Sequence, residues 1–86
     1  MKYATTITPT TTPQSVKDLA KVTDNFGAGF VILQCPAGNG GNINFGTEAA
    51  QPAILLPNGS AELRLTNLKD LYVVGDGADV CVVVVL

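Results

Sequence analysis

Few side chains of this 86-residue sequence are of the types that carry out acid–base, nucleophilic or metal chemistry. There is no histidine, so the commonest general base and the commonest transition-metal ligand are both missing. Cys35 and Cys81 lack the CxxC spacing of a zinc site, and the sequence shows no base that would activate a cysteine nucleophile. Glu48 and Glu62 are the only glutamates, and their context does not indicate a carboxylate pair. We therefore predict a protein that is not an enzyme, with no catalytic residues and no cofactor.

Two loops contain residue types that bind ligands in other proteins. Asp76 and Asp79 flank Gly77 and suggest a calcium site with Asp70 or backbone carbonyls, but such a site needs six or more oxygen ligands, so an ordinary hairpin turn at Asp76 and Gly77 is the favoured interpretation. The glycine-rich stretch Gly38–Gly41 is not followed by the Lys-Ser/Thr of a phosphate-binding loop. We predict that it closes a hairpin between the strands on either side, and that no metal is bound.

The composition narrows the classes of partner. The five basic residues are scattered and the net charge is −2, which disfavours nucleic-acid binding. The apolar run Val80–Leu86 is far shorter than the roughly 20 residues of a membrane-spanning helix. Hydrophobic residues make up 47% of the sequence and charged residues only 14%, so part of the apolar surface is expected at an interface with another protein.

The two cysteines indicate little about redox chemistry by themselves. The first residues, Met1–Thr6, lack the apolar segment of a secretory signal, so we expect synthesis and folding in a cytoplasm, where structural disulfides are uncommon. Cys35 and Cys81 are interpreted as small core side chains, with a disulfide between them as the alternative.

The first third of the chain predicts an extended segment and one short helix. Residues 1–13 are rich in threonine and contain Pro9 and Pro13, a composition that favours an extended N-terminal arm. Ser15 can then cap a helix of about two turns whose apolar positions are Val16, Leu19 and Ala20.

From Phe30 onward the pattern indicates only strands and turns. Turn signals recur about every 8 to 12 residues, a spacing typical of antiparallel sandwiches and barrels. The predicted fold class is all-β: a small antiparallel β-sandwich or jelly-roll-like barrel, residues 14–86, preceded by the arm at 1–13 and including the one helix. The predicted strands are Phe30–Cys35, Asn42–Gly46, Pro52–Leu56, Ala61–Leu65, Leu71–Val74 and Val80–Leu86.

Two of these strands are apolar over nearly their whole length, and the last one has no polar face. Phe30–Cys35 is interpreted as buried on both faces. Along Val80–Leu86, one face carries Cys81, Val83 and Val85 and the other carries Val82, Val84 and Leu86. A domain this small covers one face with its core, so the other must meet the helix, the arm or a neighbouring subunit.

Residues 30–86 resemble small virion proteins of tailed phages. The resemblance lies in the strands Phe30–Gln34 and Ile43–Gly46, in Ala53–Leu63 with its Pro-Asn-Gly turn, in Leu68–Gly75 with its Leu-Tyr-Val-Val-Gly motif, and in the valine-rich Asp79–Val83. It implies a capsid cement or decoration protein, often a homotrimer, that binds across neighbouring major capsid subunits and stabilises the phage head. Such a protein is made in the host cytoplasm and is located on the capsid surface of the virion.

The arm and the last strand are the expected partner-binding elements. The predicted contact residues are Thr5, Ile7, Thr8, Pro9, Thr10, Val82, Val84 and Leu86. The alternative is a receptor- or glycan-binding module of a head or tail appendage, which would use loops such as Ala37–Gly41 and Gly75–Ala78 at one end of the sandwich. An enzyme based on carboxylate chemistry is a distant third hypothesis.

Overall fold

The chain forms eight β-strands, one α-helix and one 3₁₀ turn in the part that this computed structural model describes, residues 2–23, 26, 29–65 and 67–86. The strands are β1 (Tyr3–Ile7), β2 (Gln14–Ser15), β3 (Gly29–Gln34), β4 (Ile43–Gly46), β5 (Ala53–Leu55), β6 (Ser60–Leu65), β7 (Tyr72–Val74) and β8 (Cys81–Val85). The helix α1 spans Val16–Ala20, and the 3₁₀ turn spans Leu68–Asp70.

The strands are arranged in two antiparallel sheets of four. The first sheet has the order β1-β8-β3-β6, and the second has the order β2-β7-β4-β5. Strand 1 pairs with 8, 2 with 7, 3 with 6 and 4 with 5, so the chain is one long nested hairpin rolled into two layers. This is the strand order of a jelly roll. The predicted all-β sandwich is confirmed, and its two sheets stay separate instead of closing into a barrel.

The core lies between the two sheets. Alternate residues of β8, namely Cys81, Val83 and Val85, point into it and are buried. The second sheet contributes Ile43 and Val73, both fully buried. Burying one such aliphatic side chain stabilises the folded state by about 1.5–3 kcal/mol, so the inward residues of these strands contribute strongly to the stability of the fold. The buried apolar residues of the described chain are Ile7, Val16, Val31, Leu33, Cys35, Ile43, Leu55, Leu68, Leu71, Val73, Cys81, Val83 and Val85.

Helix α1 begins where the sequence predicts and is shorter than expected. The Ser15 hydroxyl accepts a hydrogen bond from the Asp18 amide at 3.0 Å, which makes Ser15 the N-cap. Val16 is fully buried, and its amide donates to the Leu71 carbonyl at 2.8 Å. The helix ends after five residues because Lys21 adopts a left-handed conformation, with φ of 58°.

The N-terminal segment is extended, and it forms the edge strand β1 of the first sheet. Pro9 is among the fully buried residues, and its carbonyl accepts from the Gly77 amide at 3.0 Å. The next carbonyl, that of Thr10, accepts from the Gly75 amide at 2.9 Å. Residues 3–10 are therefore held to the sandwich by both sheet pairing and loop contacts.

The turns are where the sequence predicts them, but the hairpin pairing predicted for two of them is wrong. The turn at Asp76 and Gly77 does not close a hairpin, because β7 and β8 lie in different sheets. Residues 36–41 were expected to close a hairpin between β3 and β4. In the structure β3 pairs with β6 and β8, whereas β4 pairs with β5 and β7. The glycine-rich loop thus crosses from one sheet to the other. Within the described residues, β4 and β5 are the only strands adjacent in the sequence that pair directly.

The turn between β4 and β5 depends on a glycine. A Cβ atom on Gly46 would fall on the Ala50 carbonyl oxygen and within 2.9 Å of the Gln51 Cα, and both of these are backbone atoms. The Thr47 amide donates to the same Ala50 carbonyl at 2.8 Å, so the carbonyl cannot move away freely. Only glycine fits at the end of β4.

Replacing Gly46 should therefore destabilise the protein. We expect Gly46→Ala to lower the free energy of unfolding by about 1–3 kcal/mol, the usual cost of forcing a methyl group into filled space. Urea unfolding followed by circular dichroism measures this. Gly38→Ala is the matched control because nothing lies within 4 Å of the added Cβ, and a change below about 1 kcal/mol is expected there. Equal losses in the two variants would contradict the steric argument.

Candidate partner-binding surface

The outward side of the first sheet carries an apolar surface. Its centre comprises Val82 and Val84 of β8 with Ile32 of β3, all half-buried. Phe30 and Leu86 extend it and are each 44% exposed. The Leu86 amide donates to the Phe30 carbonyl at 3.0 Å, which continues the ladder by one residue. We call the set Ala4, Phe30, Ile32, Val82, Val84 and Leu86 the apolar face.

Polar side chains border the apolar face. The register places one row across the sheet as Ala4, Val84, Ile32 and Glu62. The next row reads Thr6, Val82, Gln34 and Ser60. An apolar centre with a polar rim is the usual anatomy of a protein–protein interface.

Arg64 connects the rim to the apolar centre. It is paired with Phe30 in the register, and its guanidinium carbon lies 5.6 Å from the centre of the Phe30 ring. A cation over an aromatic face is attracted by about 0.5–1 kcal/mol at an exposed site. The contact orients both side chains, so this corner of the face has a defined shape before any partner arrives.

The size of the apolar face limits how tightly a single copy can bind. The whole outward side of the first sheet, polar rim included, is four strands about 4.8 Å apart, each presenting about three outward residues at a spacing of roughly 6.8 Å, and it covers about 300–400 Å². Counted on both partners this is about 600–800 Å², below the roughly 1,200 Å² of a stable interface. Firm attachment through this face requires several copies acting together or further contacts.

The structure divides the predicted contact residues into two groups. Val82, Val84 and Leu86 lie on the apolar face. Thr8 and Thr10 are exposed next to strand β1, although the Thr10 hydroxyl is engaged with the Gln14 side chain at 3.0 Å. These residues have surface that a partner can touch.

The rest of that set is covered by the chain itself. Ile7 is 3% exposed and Pro9 is fully buried, so both belong to the core of the sandwich. Thr5 is half-buried at an inward position of β1. Ile7 and Pro9 are thus packed against the chain itself, whereas Thr5 keeps part of its surface exposed.

The sequence interpretation missed Phe30 and Ile32. Strand β3 was predicted to be buried on both faces, but only Val31 and Leu33 are buried within it, and Phe30 is exposed. The pairing of β3 with β8 could have identified them, because residues paired with the outward-facing Val82 and Val84 lie on the same side of the sheet.

Asp79 and Asn39 brace the two loops at one end of the sandwich. The Asp79 carboxylate accepts from the Gly40 amide at 2.9 Å with one oxygen and from the Gly41 amide at 2.8 Å with the other. Asn39 donates to the Val80 carbonyl at 2.7 Å and accepts from the Val80 amide at 3.1 Å. The amides of the glycine loop are therefore engaged by the Asp79 carboxylate of the same chain.

Asp76 has a similar local role. Its carboxylate accepts from the amides of Ala78 at 2.9 Å and Asp79 at 2.7 Å. These bonds to the charged form hold the pKa of Asp76 below its usual value. Backbone amides engage the carboxylates of Asp76 and Asp79, so residues 76–79 form a compact turn. The predicted hairpin at this turn is wrong, because β7 and β8 lie in different sheets and the turn crosses between them. No cluster of three or more His, Cys, Asp or Glu side chains occurs in the described chain.

A polar groove lies on the other side of the molecule, beside α1. It has a volume of about 760 Å³ and is lined by Lys17, Asp18, Glu48, Lys69, Asp70 and Tyr72, among others. Burial, followed by the charges of Glu48, Asp18 and Asp70, raises the pKa of Tyr72. The hydroxyl thus stays protonated at neutral pH and cannot act as a base. The acidic and basic side chains of the groove lie on an open surface and do not converge on a single point.

An apolar cleft of about 480 Å³ opens where the sandwich is not closed, between the β4–β5 turn and β6. Phe45, Pro52, Ala53, Leu63 and Leu71 line it, with Arg64 and Asp70 at its rim. Arg64 thus borders both this cleft and the apolar face.

Comparison with protein families, with curated proteins and with solved structures finds no match to this chain. Among the residues that the structure describes, no helix is both long and apolar enough to span a membrane.

Removing the Asp79 carboxylate should loosen the braced loops. Asp79→Ala leaves the amides of Gly40 and Gly41 without their acceptor, and we expect the free energy of unfolding to fall by about 2–3 kcal/mol. Chemical denaturation at pH 7 measures the loss. Glu48→Ala removes an exposed carboxylate and should change stability by less than about 0.5 kcal/mol. An Asp79→Ala variant as stable as Glu48→Ala would show that the loops hold without the brace.

The buried Cys81 thiol should make stability depend on pH in the alkaline range. Burial is the main cause that raises the pKa of Cys81 from 9.0 to about 11, and the nearby Cys35 adds to the rise, while a backbone hydrogen bond at Gln34 opposes it. The folded state keeps this proton after the unfolded state has lost it. The contribution is therefore complete below pH 9, and roughly 3 kcal/mol is lost as the pH rises to about 11.

Unfolding free energies measured from pH 8 to 11 test this. The decline should be flatter in Cys81→Ala than in the unmodified protein. Tyr72→Phe is the control: the pKa of Tyr72 is raised from 10.0, so Tyr72 adds to the decline only near pH 10 and above, and Tyr72→Phe should keep the decline between pH 9 and 10 that the Cys81 thiol causes. A decline of the same steepness with and without Cys81 would remove the thiol as its cause.

Proposed function

We propose that this chain is a structural virion protein of the capsid cement or decoration type, which binds across neighbouring major capsid subunits and stabilises a phage head. The observation that carries the proposal is the apolar face with its polar rim on the first sheet. Its central strand β8 is apolar on both sides, and the sandwich core covers only one of them. A flat apolar surface on another protein is the kind of partner that this face fits.

The jelly-roll topology supports the same proposal by analogy. Viral capsid domains and lectins are among the proteins that share this strand order. Because one fold hosts many functions, the topology adds weight only in combination with the surface and with the resemblance of residues 30–86 to small virion proteins.

The area of the apolar face favours a multivalent protein. A single face buries too little surface for lasting attachment, whereas three linked copies bind as one unit and raise the apparent affinity by orders of magnitude. A homotrimer placed where capsid subunits meet has this valence. The exposed residues Thr8 and Thr10 and the apolar cleft at β6 offer further surface for contacts between copies.

A charge at the centre of the apolar face should abolish capsid binding. We expect Val84→Lys to weaken binding to shells of the major capsid protein by about 100-fold, or ~2.7 kcal/mol, because a lysine would be buried at the interface without a partner. Co-sedimentation of the purified protein with shells that lack it gives the affinity.

Ile54→Lys is the matched control for this experiment. Ile54 is also an exposed aliphatic residue on a strand, 59% exposed, but it lies on the second sheet. Binding should be unchanged in Ile54→Lys, and both variants should keep the circular dichroism spectrum of the unmodified protein. Equal binding by the two variants would overturn the role of the apolar face. Binding of a glycan array, with no binding to shells, would favour the receptor-binding alternative.

A further inference from the structure

The register of the first sheet places the two cysteines opposite each other. Gln34 of β3 pairs with Val82 of β8 in an antiparallel ladder. One step further along the ladder, Cys35 faces Cys81. Both side chains are fully buried between the sheets, and both thiols are free.

The backbone hydrogen bonds of Cys35 show which kind of pair this is. Its amide donates to the Gly59 carbonyl at 2.9 Å, and its carbonyl accepts from the Asn58 amide at 2.7 Å. Both groups are thus directed toward the β6 side, away from β8. Cys35 and Cys81 form a non-hydrogen-bonded pair, in which opposed Cα atoms lie about 4.5 Å apart and side chains approach closely. Disulfides span Cα separations of about 4.4–6.8 Å.

Asn39 holds the two strands together at this point. Its side chain bonds both the amide and the carbonyl of Val80, the residue before Cys81. The same amide nitrogen lies 3.0 Å from the Cys35 sulfur. Burial is the main cause of the raised pKa of Cys81, and the smaller contribution of Cys35 to that rise agrees with the two thiols being neighbours. The pair is therefore held in a fixed geometry.

We propose that Cys35 and Cys81 form a cross-strand disulfide when the folded protein equilibrates with a low-molecular-weight disulfide such as oxidised glutathione. One protein thiolate attacks the glutathione disulfide, which forms a mixed disulfide and releases one glutathione. The second protein thiolate then attacks the protein sulfur of that bond and releases the other glutathione. Two cysteines are oxidised to one cystine, and one glutathione disulfide is reduced to two glutathione molecules.

The bond would join the two central strands of the first sheet directly beneath the apolar face. The reduced form suits a cytoplasm, and the oxidised form suits an environment without a reducing thiol buffer. The buried thiols exchange only when the strands open, so the oxidation should be slow in the folded protein and fast during refolding. This inference does not depend on the proposed function.

An equilibrium experiment removes the question of rate. The full chain is unfolded in denaturant and refolded by dilution into buffers with a graded ratio of reduced to oxidised glutathione. A parallel set of samples has the same buffers but stays in denaturant. Both sets are quenched with acid. Intact-mass spectrometry then gives the fraction of molecules with an internal disulfide, which are lighter by two hydrogens and carry no glutathione. We expect the ratio of glutathione species needed for half-oxidation to differ by about 100-fold between folded and unfolded protein, in favour of the folded disulfide.

The oxidised protein should also unfold at a midpoint about 10 °C higher than the reduced protein, a shift that dithiothreitol reverses. Cys35→Ser and Cys81→Ser are the controls, and both should give glutathione adducts and no shift. A disulfide no more favoured in the folded than in the unfolded chain, or products that are only glutathione adducts or intermolecular dimers, would overturn the proposal.

Discussion

Strand β8 has apolar side chains on both faces and hydrogen-bonding groups on both edges, and the rest of the molecule is arranged around these demands. Strands β1 and β3 satisfy its edges, and the second sheet covers its inward residues Cys81, Val83 and Val85. A chain of this size has material for one core layer only. The outward residues Val82 and Val84 therefore keep part of their surface in contact with solvent. The most deeply buried strand of the fold also supplies the centre of the apolar face.

Local sequence patterns predict most of the secondary-structure elements, but they do not predict which strands pair with each other. Alternating apolar residues, Gly and Pro turns and the Ser15 cap correctly indicate the strands from β3 onward, the loops between them and the start of the helix. The pairing of β1 and β2 within the sandwich was not predicted. A glycine-rich loop such as 36–41 indicates only that the chain reverses direction. Reversal within one sheet spans about 4.8 Å, reversal between stacked sheets spans about 10 Å, and the same residue types serve both. The pairing is decided by residues far away in the sequence, such as β8 with both β1 and β3.

The candidate surface was predictable where polar and apolar faces could be told apart. The alternation in Val80–Leu86 led directly to Val82, Val84 and Leu86. Phe30 and Ile32 were missed because the run 30–33 is apolar throughout. Gln34, the exposed residue at the end of β3, lies on the same side as Phe30 and Ile32 and could have marked that side as outward. For Ile7 and Pro9 the composition indicates an extended segment, but nothing local tells whether its neighbour is the same chain or another one. That distinction required the register of β1 with β8.

The nested pairing also sets the order in which the protein can assemble during translation. β4 and β5 emerge from the ribosome together and can pair at once, whereas β3 waits for β6, β2 for β7 and β1 for β8. Tyr3 meets Val85 across the sheet, so β1 stays without β8, its sheet neighbour among the described strands, until residues 81–85 have left the exit tunnel. The first sheet is thus completed only after β8 emerges, and its formation depends on contacts of long sequence separation, which slow folding. Until then, the unpaired edges of the valine-rich strands of a nascent chain can pair with strands of other chains. Misassembly is therefore most favoured while many copies are being synthesised close together.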